Sequence, residues 1–254
     1  MNASSIQAVA QALLHARRSR SPAGAASLAG HLREARDAYA VQQLVREALA
    51  PGEAPVFWKS GGPSRSAVLT QAPLFAATTW PSPANAQGQH FNFTLIEAEI
   101  ALRLGSDVTA AQAAELTHQD AAARVDAMAV AIEIVDSRWT EGVDAPPLLK
   151  LADLQSHGAL VVGEWQRFEP RDWATQRCEV QIASTGAAEY RGTHPLGDPT
   201  WLLPSWLKHL TRDGATVKAG TAVTTGTWCG MLPARRGDRV SVTFDGIGET
   251  RVQL

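Results

Sequence analysis

The sequence predicts an α+β fold, rich in β-structure, with a helical N-terminal segment. Three observations carry this. Apolar residues recur at helical spacing through the first 50 residues, residues 91–99 alternate strictly, and the C-terminal two-thirds reads as strands and turns with two helices. A chain of 254 residues can bury a sizeable core as one large domain with a smaller N-terminal piece. The expected organisation is a helical segment over 1–53 and, over 54–254, a β-rich domain that holds the candidate catalytic groups.

In chain order, Ile6, Val9, Ala10, Leu13 and Leu14 predict a helix over residues 4–16, and "RSRSPAGAAS" a loop after it. Ala38, Val41, Leu44, Val45 and Ala48 share one face of a second helix, over about 33–49, which "APGEAP" ends. "PVFWKSG" reads as a short strand running into a loop at Lys59, and "WPSPANAQGQ" as loop. In "HFNFTLIEAEIALRLG", Phe91, Phe93, Leu95, Glu97 and Glu99 alternate with Asn92, Thr94, Ile96 and Ala98, the pattern of a strand. Thr109 is a candidate N-cap for a helix that gives way near Ala129 to the β-like run "AVAIEIVDS". "TEGVDAPPLLK" is expected to be loop, and "LADLQSHGALVVGEW" a short helix followed by a strand. Beyond these lie strands and turns around the helix run "TWLLPSWLKHLTRDG", in which Pro204 must occupy the first turn or kink the helix. "GDRVSVTFDGIGETRVQL" reads as a closing hairpin with Val240, Val242 and Phe244 on one face and no chemistry assigned.

Composition excludes several classes of function. A formal charge of −2 argues against a nucleic-acid or membrane-surface partner. No apolar run approaches the ~20 residues of a membrane helix. At the N-terminus, Arg17, Arg18 and Arg20 follow the apolar stretch, the reverse of a secretory signal, so the expected compartment is the cytoplasm. Two cysteines, Cys178 and Cys229, make neither a disulfide framework nor a zinc site. Eight tryptophans against two tyrosines point to buried indoles, some of which could line an apolar pocket or a subunit contact.

Three carboxylates sit inside apolar runs: Glu97, Glu99 and Glu133. Positions i and i+2 of a strand face the same side, so Glu97 and Glu99 share a face. Either that face is solvated, or the carboxylates are buried and compensated, since an isolated buried carboxylate is costly. A hard divalent cation is one efficient compensation, and Glu133, flanked by Ile132 and Ile134, would complete a facial set. Asp136 and Arg138 nearby are expected to form a structural ion pair.

Seven segments carry a resemblance: "DAYAVQ" (37–42), "FWKSGGPS" (57–64), "IEAEIALRLG" (96–105), "AIEIVDSR" (131–138), "LADLQSHGALVVG" (151–163), "GTHPLGDPTWLLPSWL" (192–207) and "VKAGTAVTTGTWCG" (217–230). In this order they resemble the 2-keto-4-pentenoate hydratases, which belong with the 4-oxalocrotonate decarboxylases to the fumarylacetoacetate hydrolase superfamily. The resemblance covers nearly the whole chain. It implies a fumarylacetoacetate-hydrolase-like fold, a mixed β-sandwich roll, with Mg²⁺ or Mn²⁺ held by Glu97, Glu99 and Glu133. It implies a small-molecule 2-oxo or 2-hydroxydienoate acid as substrate, a homo-oligomer, and a lyase that hydrates a short 2-hydroxy-2,4-dienoate in catabolism of aromatic compounds. The alternatives are a decarboxylase or an acylpyruvate hydrolase, or a catalytically reduced member that stabilises an enzyme partner.

By the same resemblance Lys59 lies near the substrate, Asp153 and Ser156 are further catalytic candidates, and Thr227 and His194 are candidate substrate contacts. Alternative readings stand beside these: a solvated Lys59, and turn structure for Thr227 and His194. The chain also departs from the family pattern. Phe57 replaces a glycine before the lysine element, Leu154 replaces an asparagine in "ADLQS", and Leu74 follows Pro73 where an aspartate is usual. From Ala54 to Ile96, 43 residues, there is no Asp or Glu to substitute for it. His157 is a candidate for the lost polar partner, His118 reads as surface, and His90 lacks an identifiable partner.

Overall fold

The computed structural model of the protein describes residues 3–254. Helices α1 (Ala3–Ser19) and α2 (Ala35–Leu49) come first. Strands β1 (Phe57–Gly61), β2 (Thr70–Leu74), β3 (Thr79–Pro81), β4 (Ala84–Asn85) and β5 (Leu95–Leu104) follow. Helices α3 (Ala110–Glu115) and α4 (His118–Ala122) lead into β6 (Val125–Val135). Next come α5 (Pro147–Ala152), β7 (His157–Val162), β8 (Gln166–Arg167), β9 (Arg177–Ile182) and β10 (Gly186–Arg191). Helix α6 (Leu203–Thr211) precedes β11 (Ala222–Thr224), β12 (Leu232–Pro233), β13 (Arg239–Phe244) and β14 (Gly248–Gln253).

The strands form two sheets. The larger runs β2-β1-β11-β5-β6-β7-β3, with β12 added to β5 and β8 to β6; the smaller runs β10-β9-β13-β14-β4. On β5 and β6 the even-numbered residues (Ile96, Ile100, Leu102, Met128, Val130, Ile132 and Ile134) pack into the main core with Val180, Val240, Val242 and Phe244 of the smaller sheet. The period-2 geometry of a strand then sends Glu97, Glu99 and Glu133 to the other face, beside the small residues Ala101, Ala129 and Ala131. Burial of both faces is why β6 reads as an almost unbroken apolar run.

Helices α1 and α2 share a second core with Trp139, Leu149, Leu151 and Ala152. Gln42 of α2 fixes this packing, donating to the carbonyls of Leu151 (2.6 Å) and Gln71 (3.2 Å). The hairpin of β13 and β14 forms as the sequence predicts, with Val240, Val242 and Phe244 buried. Pro204 sits in the first turn of α6, where its missing N–H costs no helical bond. Of the tryptophans, Trp139, Trp173, Trp206 and Trp228 are buried in the cores.

Several sequence expectations need correction: the expected loop over 80–89 contains the end of β3 and all of β4, and the strand expected from Phe91 begins at Leu95. The helix predicted from Thr109 toward Ala129 is two short helices, because Thr117 starts a second capping box with Asp120, and β6 begins already at Val125. The expected loop over 140–150 contains the start of α5, with Pro147 at its first turn.

Candidate metal centre

Strands β5 and β6 are antiparallel, and their register places Glu97 directly opposite Glu133. Glu99 faces Ala131, so it sits diagonally across from Glu133 on the same side. The ligand atoms of the three carboxylates all lie within 4.8 Å of one another. Glu99 is 1% exposed and Glu133 0%, while Glu97 is half-buried, so the face of the E-x-E motif is not a fully solvated one. Like charges so placed repel, and burial removes the water that would screen them.

The structure relieves this in several ways. Lys59 of β1 places Nζ 2.6 and 2.7 Å from the two Glu133 oxygens, with a third bond to the carbonyl of Gln155 at 3.2 Å. All three ammonium hydrogens are thereby engaged. Burial alone would lower the lysine's pKa, but Glu133, Glu97 and Glu99 outweigh it and hold it above its ordinary value. Glu99 accepts from the Gly226 N–H at 2.8 Å. His157 Nδ1 lies 3.0 Å from Glu133 Oε1. Burial, then the Lys59, Arg138 and Arg17 cations, keep His157 well below the usual histidine pKa, so the ring is neutral and Nδ1–H donates to the carboxylate. Its Nε2 then accepts from the hydroxyl of Thr78 at 3.2 Å.

These contacts leave charge uncompensated. Burial, then repulsion from Glu133, raises Glu99 to about 7 and Glu97 well above the ordinary carboxylate value. Fully ionised, three carboxylates and one ammonium would leave two negative charges in one site, which a dication held there would neutralise. The all-oxygen donor set is that of a hard ion.

Glu97, Glu99 and Lys59 line a cleft of ≈ 870 Å³, with Glu133 buried behind them on the Lys59 ammonium. Ser60, Thr70, Gln155, Ser156, Thr224, Gly226 and Thr227 line it with them. Ser60 Oγ, Thr224 Oγ1 and Gln155 Oε1 are buried without a hydrogen-bond partner. Buried polar atoms are normally satisfied, so these three are available to a bound molecule or water.

The cleft's inner wall depends on a backbone conformation that is unusual for these residues. Leu154, Gln155 and Ser156 have φ of 52°, 56° and 59°, a left-handed turn without glycine, which costs roughly 1–2 kcal/mol per residue. The turn aims the Gln155 carbonyl at Lys59 and its side-chain Nε2 at Thr70 Oγ1, 2.5 Å away.

Comparison with known proteins follows from this geometry. Residues 24–254 match the family described as fumarylacetoacetate (FAA) hydrolase C-terminal. The chain belongs to that family. Among curated relatives it is similar to 2-hydroxyhexa-2,4-dienoate hydratase of Comamonas testosteroni, 29% identical over 62% of this chain and 59% of the relative. It is also similar to 2-keto-4-pentenoate hydratase 1 of Dechloromonas aromatica (strain RCB), 32% identical over 60% of this chain and 57% of the relative. The matched stretch thus spans under two thirds of either relative's length. In fold it is similar to 4-oxalocrotonate decarboxylase from Pseudomonas putida G7, complexed with magnesium and adipate. The TM-score is 0.84 at 20% identity, over 100% of this chain and 98% of that one. A more distant likeness is fumarylpyruvate hydrolase from Pseudomonas aeruginosa in complex with Mn²⁺ and pyruvate, with a TM-score of 0.53 at 15% identity, over 78% of this chain and 88% of that one.

Within this member of the FAA hydrolase family, the sequence-predicted site residues divide into two groups. Lys59, Glu97, Glu99, Glu133, Ser156 and Thr227 gather at or beside the cleft. Thr227 is tied into its own turn, donating to the Gly230 carbonyl at 2.8 Å and accepting from the Cys229 N–H at 3.2 Å. Asp153 and His194 do not line it. Asp153 is fully buried and bound to Arg138, through Nε at 2.6 Å and the backbone N–H at 2.9 Å, and to Arg17 at 3.3 Å. Its geometry is structural, so the catalytic expectation for it is withdrawn. His194 is buried in its turn, donating from Nε2 to the Thr225 carbonyl at 2.8 Å and accepting the Leu196 N–H at Nδ1. Both ring nitrogens are engaged, which leaves nothing for a substrate contact. The expected Asp136–Arg138 pair is present at 3.4 Å, but the shorter bond of Arg138 is to Asp153.

Sequence reasoning missed three participants. Gln155 carried no motif signal, because its part depends on the left-handed turn. The Gly226 N–H is backbone and has no side-chain signature. The pairing of Arg17 with Asp153 joins residues 136 positions apart.

Proposed function

We propose that this chain is a divalent-metal-dependent hydratase, adding water to a 2-hydroxy-2,4-dienoate to give a 4-hydroxy-2-oxo acid in the catabolism of aromatic compounds. One observation carries the reading: three carboxylates, two of them fully buried, bring their ligand atoms within 4.8 Å of one another beside a cleft that Glu97 and Glu99 line. The relatives named as hydratases support it. Glu97, Glu99 and Glu133 would hold Mg²⁺ or Mn²⁺, which would polarise the carboxylate and 2-oxo oxygens of a bound 2-oxo acid.

The chain's own residues supply the rest. Lys59 holds Glu133 in place and keeps a fixed positive charge beside the substrate. The partnerless hydroxyls of Ser60 and Thr224 offer donors to the substrate carboxylate. Protonation of the dienol at C5 with loss of the 2-hydroxyl proton gives the 2-oxo enone; water then bonds through oxygen to C4 and gives up a proton while a proton is delivered to C3. The ionisable groups lining the cleft are Lys59, Glu97, Glu99 and Lys150, so proton handling falls to these and to water. We further propose a cytoplasmic homo-oligomer; no helix among the described residues is long and apolar enough to cross a membrane.

A second reading has a specific observation behind it. Leu74, at the position where an aspartate is expected, is buried opposite Phe57, and no carboxylate occurs between Ala54 and Ile96. A catalytically reduced subunit that supports an enzyme partner would have this signature. Assay with Mg²⁺ against 2-hydroxypenta-2,4-dienoate, 4-oxalocrotonate and an acylpyruvate separates the readings. Turnover of the first alone supports the hydratase, turnover of another reassigns the reaction, and metal binding without turnover supports the reduced subunit.

A further inference from the structure

The lining of the cleft changes character from floor to mouth. Its acids and partnerless hydroxyls lie deep. At the mouth the exposed lining residues are Pro63, Val68, Pro147, Pro195 and Met231, all apolar. Val68 is 85% exposed and Met231 47%. Exposed positions ordinarily favour charged and polar side chains, so an apolar rim around a polar floor marks a binding surface. Val143, Leu148 and Leu151 continue the apolar wall inward. Besides Lys59, the cation lining the cleft is Lys150, whose ammonium is held on the Val143 carbonyl at 2.8 Å. A volume of ≈ 870 Å³ lies in the range of sites for drug-sized ligands, roughly 300–1,000 Å³, and exceeds what a five-carbon acid fills.

We propose that the cleft selects 2-oxo acids and 2-hydroxydienoates whose carbon tail beyond C5 is apolar, and disfavours those ending in a second carboxylate. The inference rests on the reading of the floor as a 2-oxo acid site. With the carboxyl end at Lys59 and the three glutamates, the far end of the molecule reaches the rim. An alkyl or aryl tail there covers Val68 and Met231. A terminal carboxylate instead loses water against apolar walls and finds one cation there, Lys150, whose ammonium is tethered to the Val143 carbonyl.

The Mg²⁺-loaded protein is titrated calorimetrically with 2-oxobutanoate, 2-oxohexanoate, 2-oxooctanoate and 2-oxoadipate. In parallel, turnover is measured with 2-hydroxy-2,4-dienoates bearing hydrogen, methyl, propyl or carboxylate at C5. We expect each added methylene to tighten binding about two- to fourfold, from ≈ 0.8 kcal/mol per fully buried CH₂. The dicarboxylate should bind at least tenfold more weakly than 2-oxohexanoate. Val68→Lys combined with Met231→Lys should reverse that preference. Affinity independent of tail length, or preference for 2-oxoadipate in the unmodified protein, overturns the inference and leaves the hydratase reading standing if the dienoates turn over. Tail-dependent binding without dienoate turnover sustains the inference and removes the hydratase reading. Absence of binding by every 2-oxo acid removes both. A tail-independent affinity with a changed oligomeric state in the double variant assigns the rim to a subunit contact and also overturns it.

Discussion

Lys59 Nζ bridges both oxygens of Glu133, at 2.6 and 2.7 Å, in a site where the lysine is the cation nearest three carboxylates. The pair fixes Glu133 and removes one of three negative charges. Lys59→Met therefore takes a positive charge from the cluster without removing a ligand. We predict that the variant binds Mg²⁺ at pH 8 at least as tightly as the unmodified protein, while kcat/KM falls by about 10²-fold or more, the loss expected of a group acting on the reacting substrate. Calorimetry and steady-state kinetics on the same preparation check this.

The raised pKa values of Glu97 and Glu99 give metal binding a pH dependence. Glu99 is pushed from 4.5 up to about 7, so in the metal-free protein it carries a proton across the acidic range. A carboxyl whose folded pKa is raised contributes stability that is complete below its unfolded pKa and is lost as pH rises through the folded one. The metal-free fold thus loses stability between about pH 4.5 and 7, where Mg²⁺ must displace protons to bind. The rise in Tm on adding 5 mM Mg²⁺, about a cellular-scale excess over a weak site, should be several-fold larger at pH 8 than at pH 5.5. Equal increments would contradict the assignment.

His157 donates to Glu133 Oε1 from a position only 1% exposed. Hydrogen bonds that orient a metal-binding carboxylate typically contribute about 10- to 100-fold in affinity. His157→Ala should lose that much Mg²⁺ affinity. His157→Asn keeps a donor near Nδ1 and should recover most of it. Equal loss in the two variants would mean that packing, not the hydrogen bond, is what His157 supplies.

Asp153 separates a structural role from a chemical one. Asp153→Asn leaves Arg138 and Arg17 short of a buried counter-charge, at a cost of about 3–5 kcal/mol by analogy with broken buried pairs. Urea unfolding should show that loss, whereas Mg²⁺ affinity of the folded protein should stay within threefold. A variant of unchanged stability that has lost activity would return Asp153 to the catalytic group.

The parts of this structure that could be read from the sequence are those set by short-range periodicity. Alternation along 91–99 gave the facing of Glu97 and Glu99, although the strand starts only at Leu95 and leaves Phe91 and Phe93 outside it. Glu133 stood out because isoleucines flank it in a run buried on both faces. Asp153 misled because its sequence neighbourhood matches the motif, while its partners, Arg17 of α1 and Arg138 just beyond β6, are brought to the end of α5 by tertiary packing. The turn at Leu154–Ser156 was hidden for a different reason: none of its residues favours φ > 0, and the surrounding contacts impose it. The apolar rim combines residues from separate loops, each of which alone looks like an ordinary exposed proline, valine or methionine.

The central claim is that Glu97, Glu99 and Glu133 share one divalent ion. Calorimetric titration of the metal-free protein with Mg²⁺, compared with Glu99→Gln, tests it most directly. The account predicts one ion per chain, bound more than ~10-fold more weakly by the variant, the loss expected when one of three charged oxygen ligands becomes neutral. An affinity that is the same in both proteins would contradict it.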